Sequence, residues 1–258
     1  MNIRVNQKEL SYDLPTSIEQ IAKDLHASHV LAGTINGRLR ELSYIVTRDS
    51  ELSFLGWDDT DALKIYESTI RFVIAMAIYE LYPKARVKFN YSISRSILGV
   101  MENYDGDVDD DFVRKVDQKV KEIVAANLEI KRQRVSIGEA MTRYAERGMT
   151  DKVDVLKYRE EDYVNLYSCG DYFNYMFGYM LPSTGYISAY HMFTYHPGFL
   201  IQTPRAELNG EIPAFVDEPS FGQALKEVAK WGKIIQGNTI AKMNEYAKDY
   251  MTSVEFVN

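Results

Sequence analysis

One long apolar helix constrains the fold of this sequence more than any other segment. The spacing of its apolar residues predicts a helix from Asp61 to Leu81, which ends at Tyr82-Pro83 because proline disfavours helical geometry in the residue before it. The apolar stripe is too wide for a helix that keeps one face in water. It comprises Ile65, Ile70, Val73, Ile74, Ala77, Ile78 and Leu81. We therefore expect this helix to be buried.

Residues 1–57 have the pattern of short strands around a single helix. Apolar and polar side chains alternate from Ile3 onward, and Thr16 and Glu19 predict a capping box that opens a helix over Ser17–Leu25. Further strands and one turn follow at Val30–Ile35, Asn36-Gly37, Arg38–Leu42 and Leu52–Leu55. One helix laid across a small mixed sheet is a β-grasp, the ubiquitin-like arrangement, which we expect here.

Two helix N-termini are recognisable in the middle of the chain. The run Asp107–Asp111 lacks the glycine and the terminal glutamate of a calcium-binding EF-hand loop, so we interpret these acids as partners of a helix dipole. Ser136 and Glu139 predict the capping box of another helix, which ends at Gly148. Before both helices, Val87–Val100 has the pattern of a strand or hairpin.

The remainder of the chain divides into three stretches. Residues 153–200 are predicted to be rich in strands, and residues 201–215 read as a connector. A helical region begins after Pro219 and continues past Gly237. The last residues, Glu255–Asn258, form no polar tail, which suggests a chain cut from a longer protein.

Charge and aromatic content bear on possible partners. The net charge is −7 and the pI about 5.3, which argues against broad nucleic-acid binding because such binding needs a basic face. A small local basic patch remains compatible with these values. Aromatic residues at short spacing could stack on bases or pack in the core, and the acidic charge favours packing. They are Tyr163, Tyr167, Tyr172, Phe173, Tyr175, Phe177 and Tyr179.

Cysteine content and hydropathy indicate a reducing compartment. Cys169 is the single cysteine, so neither an internal disulfide nor a cysteine-cluster zinc site can form. The N-terminus has no apolar signal-peptide core, and Ile70–Ile78 is too short to span a bilayer. We expect a cytoplasmic protein without membrane contact.

Two resemblances to known families extend this interpretation. Val30–Leu39, followed by Asp49–Phe54, resembles the TGS domain, which heads threonyl-tRNA synthetases and occurs in certain GTPases and stringent-response proteins; any β-grasp shows a similar rhythm. Residues 61–200 resemble the editing domain of threonyl-tRNA synthetase, called its second additional domain. The motifs that carry this second resemblance are Glu146–Val153, Cys169–Tyr172 and Leu181–Tyr186. The resemblance implies an α+β fold with an antiparallel sheet after the β-grasp.

The editing family binds zinc through two histidines four apart and a cysteine and histidine four apart. Aligned with that pattern, the four ligand positions hold Ser68, Phe72, Met176 and Met180. A phenyl ring has no donor atom, and thioethers and hydroxyls are poor zinc ligands, so we expect no metal site. Lys152 matches a lysine of the editing site, whereas Asn174 stands where the family has an aspartate. The editing chemistry is therefore incomplete.

Taken together, the two domains look most like the N-terminal half of bacterial nucleoside (uridine) kinases, in which they precede a P-loop kinase domain. No P-loop occurs in this chain, because Gly232-Lys233 is followed by Ile234. We expect no cofactor here, with ATP and Mg²⁺ belonging only to the absent kinase domain, which would be the main partner. The expected divisions are 1–57, 61–200 and 201–258, the last a connector and helical segment.

These observations lead to one main functional hypothesis and two alternatives. The main hypothesis is a non-catalytic accessory region of a nucleoside kinase that binds a small anionic ligand in the degenerate editing cleft. The predicted lining is Lys152, Tyr91, Ser92, Asn174 and Tyr186. Lys152 could instead pair with Asp151 or Glu146 on the surface.

The first alternative is an RNA- or tRNA-binding module related to threonyl-tRNA synthetase. It would be supported by clustering of Arg38, Arg40, Arg71 and Lys152 on one face. The second alternative is a residual hydrolase that uses Lys152 without metal.

Overall fold

The computed structural model describes residues 1–5, 8–234, 243–245 and 247. Within them the chain has the α+β fold with antiparallel sheets that the sequence predicts. None of the helices in these residues combines the length and the apolar character needed to cross a bilayer.

The chain packs as two compact units. The first unit comprises Met1–Lys131 and Tyr167–Val216, and the second unit comprises Arg132–Leu166 and Asp217–Asn258. The division into 1–57, 61–200 and 201–258 was drawn from sequence similarity, and it stays a prediction.

A β-grasp forms the N-terminal part of the first unit. Its elements are β1 (Asn2–Val5), β2 (Lys8–Ser11), β3 (Thr16–Ser17), α1 (Ile18–Asp24), β4 (Ala32–Ile35), β5 (Arg38–Arg40), β6 (Ile45–Val46) and β7 (Ser50–Leu55). Five strands form a sheet in the order β2-β1-β7-β4-β5, in which only the β1–β7 pair is parallel. Ile18 and Ile21 of α1 share a buried core with Ile3 and Leu52 of the sheet.

The entry into α1 corrects one sequence prediction. The capping residue is Ser17, whose hydroxyl accepts a hydrogen bond from Gln20 N at 3.1 Å, so the predicted capping box at Thr16 is wrong. Thr16 lies in β3, where it pairs with Val46, and this pairing delays the helix by one residue. The predicted turn is confirmed: Asn36 and Gly37 have φ values of 49° and 75°.

The long apolar helix is confirmed as α2 (Thr60–Leu81). Asp59 caps it by accepting a hydrogen bond from Ala62 N at 2.8 Å, and the helix ends at Leu81, with Tyr82 as the C-terminal cap directly before Pro83. Its buried residues cover most of the helix surface, and one narrower side, which carries Lys64 and Arg71, is not buried. The buried residues are Ala62, Leu63, Ile65, Tyr66, Thr69, Ile70, Phe72, Val73, Ile74, Met76, Ala77 and Ile78.

A four-stranded antiparallel sheet and a third helix complete the layers around α2. In chain order they are β8 (Arg86–Ile93), β9 (Ser96–Glu102) and α3 (Asp110–Ala125), and, later in the chain, β13 (His191–Tyr195) and β14 (Gly198–Gln202). The strand order is β13-β14-β9-β8. The acidic run performs the predicted role, since Asp109 accepts a hydrogen bond from Phe112 N at 2.9 Å and caps α3.

The second unit contains two strands and three helices among its described residues. They are β10 (Lys131–Ser136), α4 (Ile137–Glu146), α5 (Thr150–Leu156), the beginning of β11 (Tyr163–Cys169) and α6 (Pro219–Ile234). Ser136 is confirmed as the predicted N-terminal cap of α4, because its Oγ accepts a hydrogen bond from Glu139 N at 3.1 Å; the carboxylate of Glu139 forms an ion pair with Arg143 instead of completing the box. In the first unit, β12 (Tyr172–Tyr175) follows the end of β11.

The second half of the chain corrects one sequence prediction and confirms part of another. Strand structure does not begin at residue 153, because α5 continues to Leu156, which is buried at the end of this helix. Strand begins at Tyr163 instead. The helix after Pro219 is confirmed as far as Ile234; its predicted course past Gly237 lies largely outside the described residues.

Candidate functional site

The fold brings α2 close to the segment that follows β12. Thr69 Oγ1 accepts a hydrogen bond from Leu181 N at 3.0 Å, and a Cβ added to Gly178 would lie 3.7 Å from Ser68 Oγ. The ring of Phe72 packs edge-on against that of Tyr172, with centroids 5.0 Å apart. The turn of α2 that carries Ser68 and Phe72 therefore lies beside the segment that carries Met176 and Met180. We call these four residues the zinc-equivalent position.

The zinc-equivalent position does not have the donor atoms that zinc requires. Phe72 and Met180 are each 1% exposed, and Met176 packs half-buried against the core. One hydroxyl, two thioethers and a phenyl ring do not fit a tetrahedral zinc site. Methionine, which is unbranched, fills the irregular space instead. Nowhere in the described chain do three or more His, Cys, Asp or Glu side chains form a group that could hold a metal ion.

Buried polar contacts join the β-grasp to the segments around the zinc-equivalent position. Tyr167 donates a hydrogen bond of 2.7 Å to the carboxylate of Glu41, and both residues are buried. The guanidinium of Arg40 lies 5.0 Å from the centre of the Tyr44 ring and 3.5 Å from the hydroxyl of Tyr179. These contacts hold the end of β5 in place.

Four basic residues were proposed to mark an RNA-binding face, and two of them, Arg40 and Arg71, already have partners within the first unit. Arg71 forms an ion pair of 3.0 Å with Glu67 on the same helix, and Arg40 contacts tyrosines as described above. Arg38 is exposed on β5. Lys152 belongs to the second unit, on α5. The clustering of these four residues on one face stays a prediction.

The predicted ligand-binding residues are also distributed over both units. Tyr91 and Ser92 lie on the edge strand β8, and Asn174 on β12 accepts a hydrogen bond from Tyr175 N at 3.0 Å. Tyr186 contacts α1 of the β-grasp, where its hydroxyl donates to Glu19 Oε1 at 3.0 Å. Lys152 is exposed in the second unit, and no described ion pair joins it to Asp151 or Glu146. A common pocket for the five residues stays a prediction.

The second unit contains a basic surface that the sequence interpretation did not single out. Arg132 and Arg134 are two residues apart on β10, as are Tyr163 and Asn165 on β11, so each pair lies on one side of its strand. The guanidinium of Arg134 lies 4.6 Å from the centre of the Tyr163 ring, and this tyrosine is 50% exposed. We call these four residues the basic strand face.

A depression of about 470 Å³ lies at the basic strand face. Glu161 and Asp162 complete its lining, so negative charge borders the two guanidinium groups. Exposed arginine beside an exposed aromatic ring can bind a phosphate and stack on a planar group at the same place. The signal in the sequence was the alternation Lys131-Arg-Gln-Arg134, which the negative total charge of the chain obscured.

Comparison with known proteins relates the chain to tRNA ligases. It is 27% identical over 187 residues to the threonine–tRNA ligase of Thermotoga petrophila, an alignment that covers 72% of this chain and 29% of that protein. The values for the enzyme of Acetivibrio thermocellus are 26% over 189 residues, 70% and 29%. For the enzyme of a Geobacter species they are 28% over 170 residues, 64% and 26%. No protein-family model matches the chain.

This similarity supports part of the sequence interpretation. The chain spans less than a third of the length of these relatives, and the similarity agrees with the TGS and editing-like resemblance. It favours the tRNA-synthetase-related alternative over the main hypothesis. The link to a nucleoside kinase, with its ATP and Mg²⁺, stays a prediction.

Proposed function

We propose that this chain is an RNA-binding module related to threonine–tRNA ligases, without metal-dependent editing chemistry. The observation that carries the proposal is the basic strand face, where Arg132 and Arg134 lie beside the exposed ring of Tyr163. The names of the relatives make tRNA the first RNA to test. The apolar side chains of the zinc-equivalent position support a role in binding rather than hydrolysis.

The chemistry of the basic strand face suits a nucleic-acid backbone. A guanidinium group offers a planar fork of donors that matches two phosphate oxygens, and it keeps its charge at any physiological pH. The Arg134–Tyr163 pair adds a flat surface on which an unpaired base can stack. Glu161 and Asp162 repel phosphate, so they restrict where the backbone can lie.

The distribution of charge agrees with binding through the second unit. The segments of the first unit hold 18 basic and 24 acidic residues, whereas those of the second unit hold 12 and 13. Most of the net charge of −7 therefore belongs to the first unit. RNA that approaches the second unit meets a nearly neutral segment with a local excess of arginine.

The proposal can be tested by removing both arginines. Arg132→Ala/Arg134→Ala should weaken binding of bacterial tRNA by about a hundredfold or more in a filter-binding assay, since each of the two arginines loses a charged hydrogen bond that contributes about 1.5 kcal/mol or more. The matched control is Arg114→Ala/Lys115→Ala, which removes the same charge from α3, where both side chains pair with Asp111. Equal affinity of both double variants would contradict the proposal.

A further inference from the structure

A second cleft, of about 220 Å³, lies within the first unit between α1 of the β-grasp and the loop around Tyr186. Its polar lining includes Glu19, Lys23 and His29, and its apolar lining includes Leu31, Leu42 and Trp57. The volume equals that of about seven water molecules at roughly 30 Å³ each, which suits an amino-acid-sized molecule and is too small to enclose a nucleotide.

The carboxylate of Glu19 is positioned in this cleft with one oxygen available. Lys23 Nζ at 2.7 Å and the hydroxyl of Tyr186 at 3.0 Å both donate to Oε1. The other oxygen, Oε2, accepts no hydrogen bond from any described residue. Burial and the nearby Glu19 raise the pKa of Tyr186, so its hydroxyl stays a donor at neutral pH. The carboxylate is therefore oriented and can still accept a bond from a ligand cation.

The imidazole of His29 is oriented as a hydrogen-bond donor. Trp57 Nε1 donates to His29 Nδ1 at 3.3 Å, so the neutral ring carries its hydrogen on Nε2. The backbone of His29 has a φ of 59°, a strained value for a residue other than glycine. A Cβ at Gly56 would lie 3.0 Å from His29 O, so glycine permits this close packing. The surrounding structure holds this residue in an unfavourable conformation.

Trp57, the indole that lines the cleft, is held in position by the buried residue Tyr66. The ring of Trp57 packs edge-on against Tyr66, with centroids 5.0 Å apart. The hydroxyl of Tyr66 accepts hydrogen bonds from Ser188 N at 3.0 Å and Ala189 N at 2.8 Å, and it donates to Ala189 O at 2.9 Å. The loop that carries Ser188 and the indole that faces it are thus positioned by one buried tyrosine.

We infer that this cleft binds a small zwitterion of the α-amino-acid class. The ligand ammonium group pairs with Glu19 Oε2, and its carboxylate is bound by Lys23 and by the N–H of His29. Its side chain packs on the apolar floor and the indole. This site is separate from the basic strand face, so it does not depend on the proposed binding of RNA.

Fluorescence of Trp57 offers a direct assay. The chain has two tryptophans, and Trp231→Phe leaves Trp57 as the only indole. In this background, each of the twenty common L-amino acids is titrated singly, and calorimetry with the unmodified chain measures the affinity. At least one amino acid should give a saturable change in fluorescence, whereas its amine analogue without the carboxylate and its acid analogue without the amine should not.

Two substitutions assign the site. Glu19→Gln keeps the size of the side chain and should lower affinity at least tenfold, and Lys23→Gln should also lower it. The matched control Glu51→Gln changes an exposed carboxylate on β7 and should leave affinity unchanged. The inference is overturned if no amino acid gives saturable binding, if the simple amine binds equally well, or if Glu19→Gln binds the amino acid as tightly as the parent does.

Discussion

The zinc-equivalent position of the first unit and the basic strand face of the second unit differ in their relation to water. At the first, apolar side chains close the space, with Phe72 and Met180 each 1% exposed. At the second, Tyr163 is 50% exposed beside two arginines. The position at which the editing family binds its metal is thus filled by packed apolar side chains in this chain. Groups suited to a charged ligand lie elsewhere, so resemblance of fold does not locate function.

The largest expected effect is a loss of stability on substitution at the zinc-equivalent position, compared with a loss of tRNA binding on substitution at the basic strand face. Phe72→Ala should reduce the free energy of unfolding by about 3–5 kcal/mol, because it leaves a cavity among buried side chains. Tyr163→Ala should cost under about 1 kcal/mol and weaken tRNA binding. Denaturant unfolding and filter binding measure the two quantities. Equal loss of stability in both variants would remove the distinction between closed and open regions.

A smaller effect is expected where a polar group is buried in the first unit. Tyr167→Phe removes the donor to the carboxylate of Glu41 and should cost about 1–3 kcal/mol, since a buried acceptor loses a partner. Lys64→Ala breaks an exposed ion pair with Asp61 and should cost under about 1 kcal/mol. Thermal unfolding of both variants checks this difference. A Tyr167→Phe melting temperature equal to that of the parent would show that the contact contributes nothing.

The smallest expected effect is the same in both units. Asp109 caps α3 in the first unit and Ser136 caps α4 in the second, each by accepting one backbone N–H hydrogen bond. Asp109→Ala and Ser136→Ala should each cost about 1 kcal/mol. Chemical denaturation measures the free energy of unfolding of each variant. Equal costs would indicate that the helices of the two units are capped in the same way, so that the units differ in the side chains of their candidate sites. A cost confined to one unit would contradict this view.

Local signals predicted much of the fold, and non-local ones explain the errors. The boundaries of α2 and the cap at Ser136 depend on neighbouring residues, so the sequence sufficed for them. The cap at Thr16 failed because β3 pairs with β6, thirty residues further along the chain. The strand content expected from residue 153 failed for a different reason, because a separate helix, α5, begins at Thr150 after Gly148 and continues to the buried Leu156.

The candidate sites were less accessible to sequence reasoning. Total charge averages over the chain, so it concealed two arginines that β10 places on one side. Tyr186 was predicted to line the editing cleft with Lys152, which stays a prediction; in the structure its hydroxyl contacts Glu19, 167 residues away, beside another cleft. Contacts between such distant residues depend on tertiary packing, which no local motif records.

The central claim, that RNA binds through the basic strand face, is tested most directly by the salt dependence of tRNA affinity. The binding constant K decreases as the salt concentration rises, so a plot of log K against log salt concentration has a negative slope. The magnitude of this slope decreases by roughly 0.7 to 0.9 for each phosphate contact that is lost. We predict that Arg132→Ala/Arg134→Ala reduces the magnitude of this slope by about 1.4 to 1.8, while Arg114→Ala/Lys115→Ala leaves it unchanged. Identical slopes for the parent and the Arg132→Ala/Arg134→Ala variant would contradict the claim.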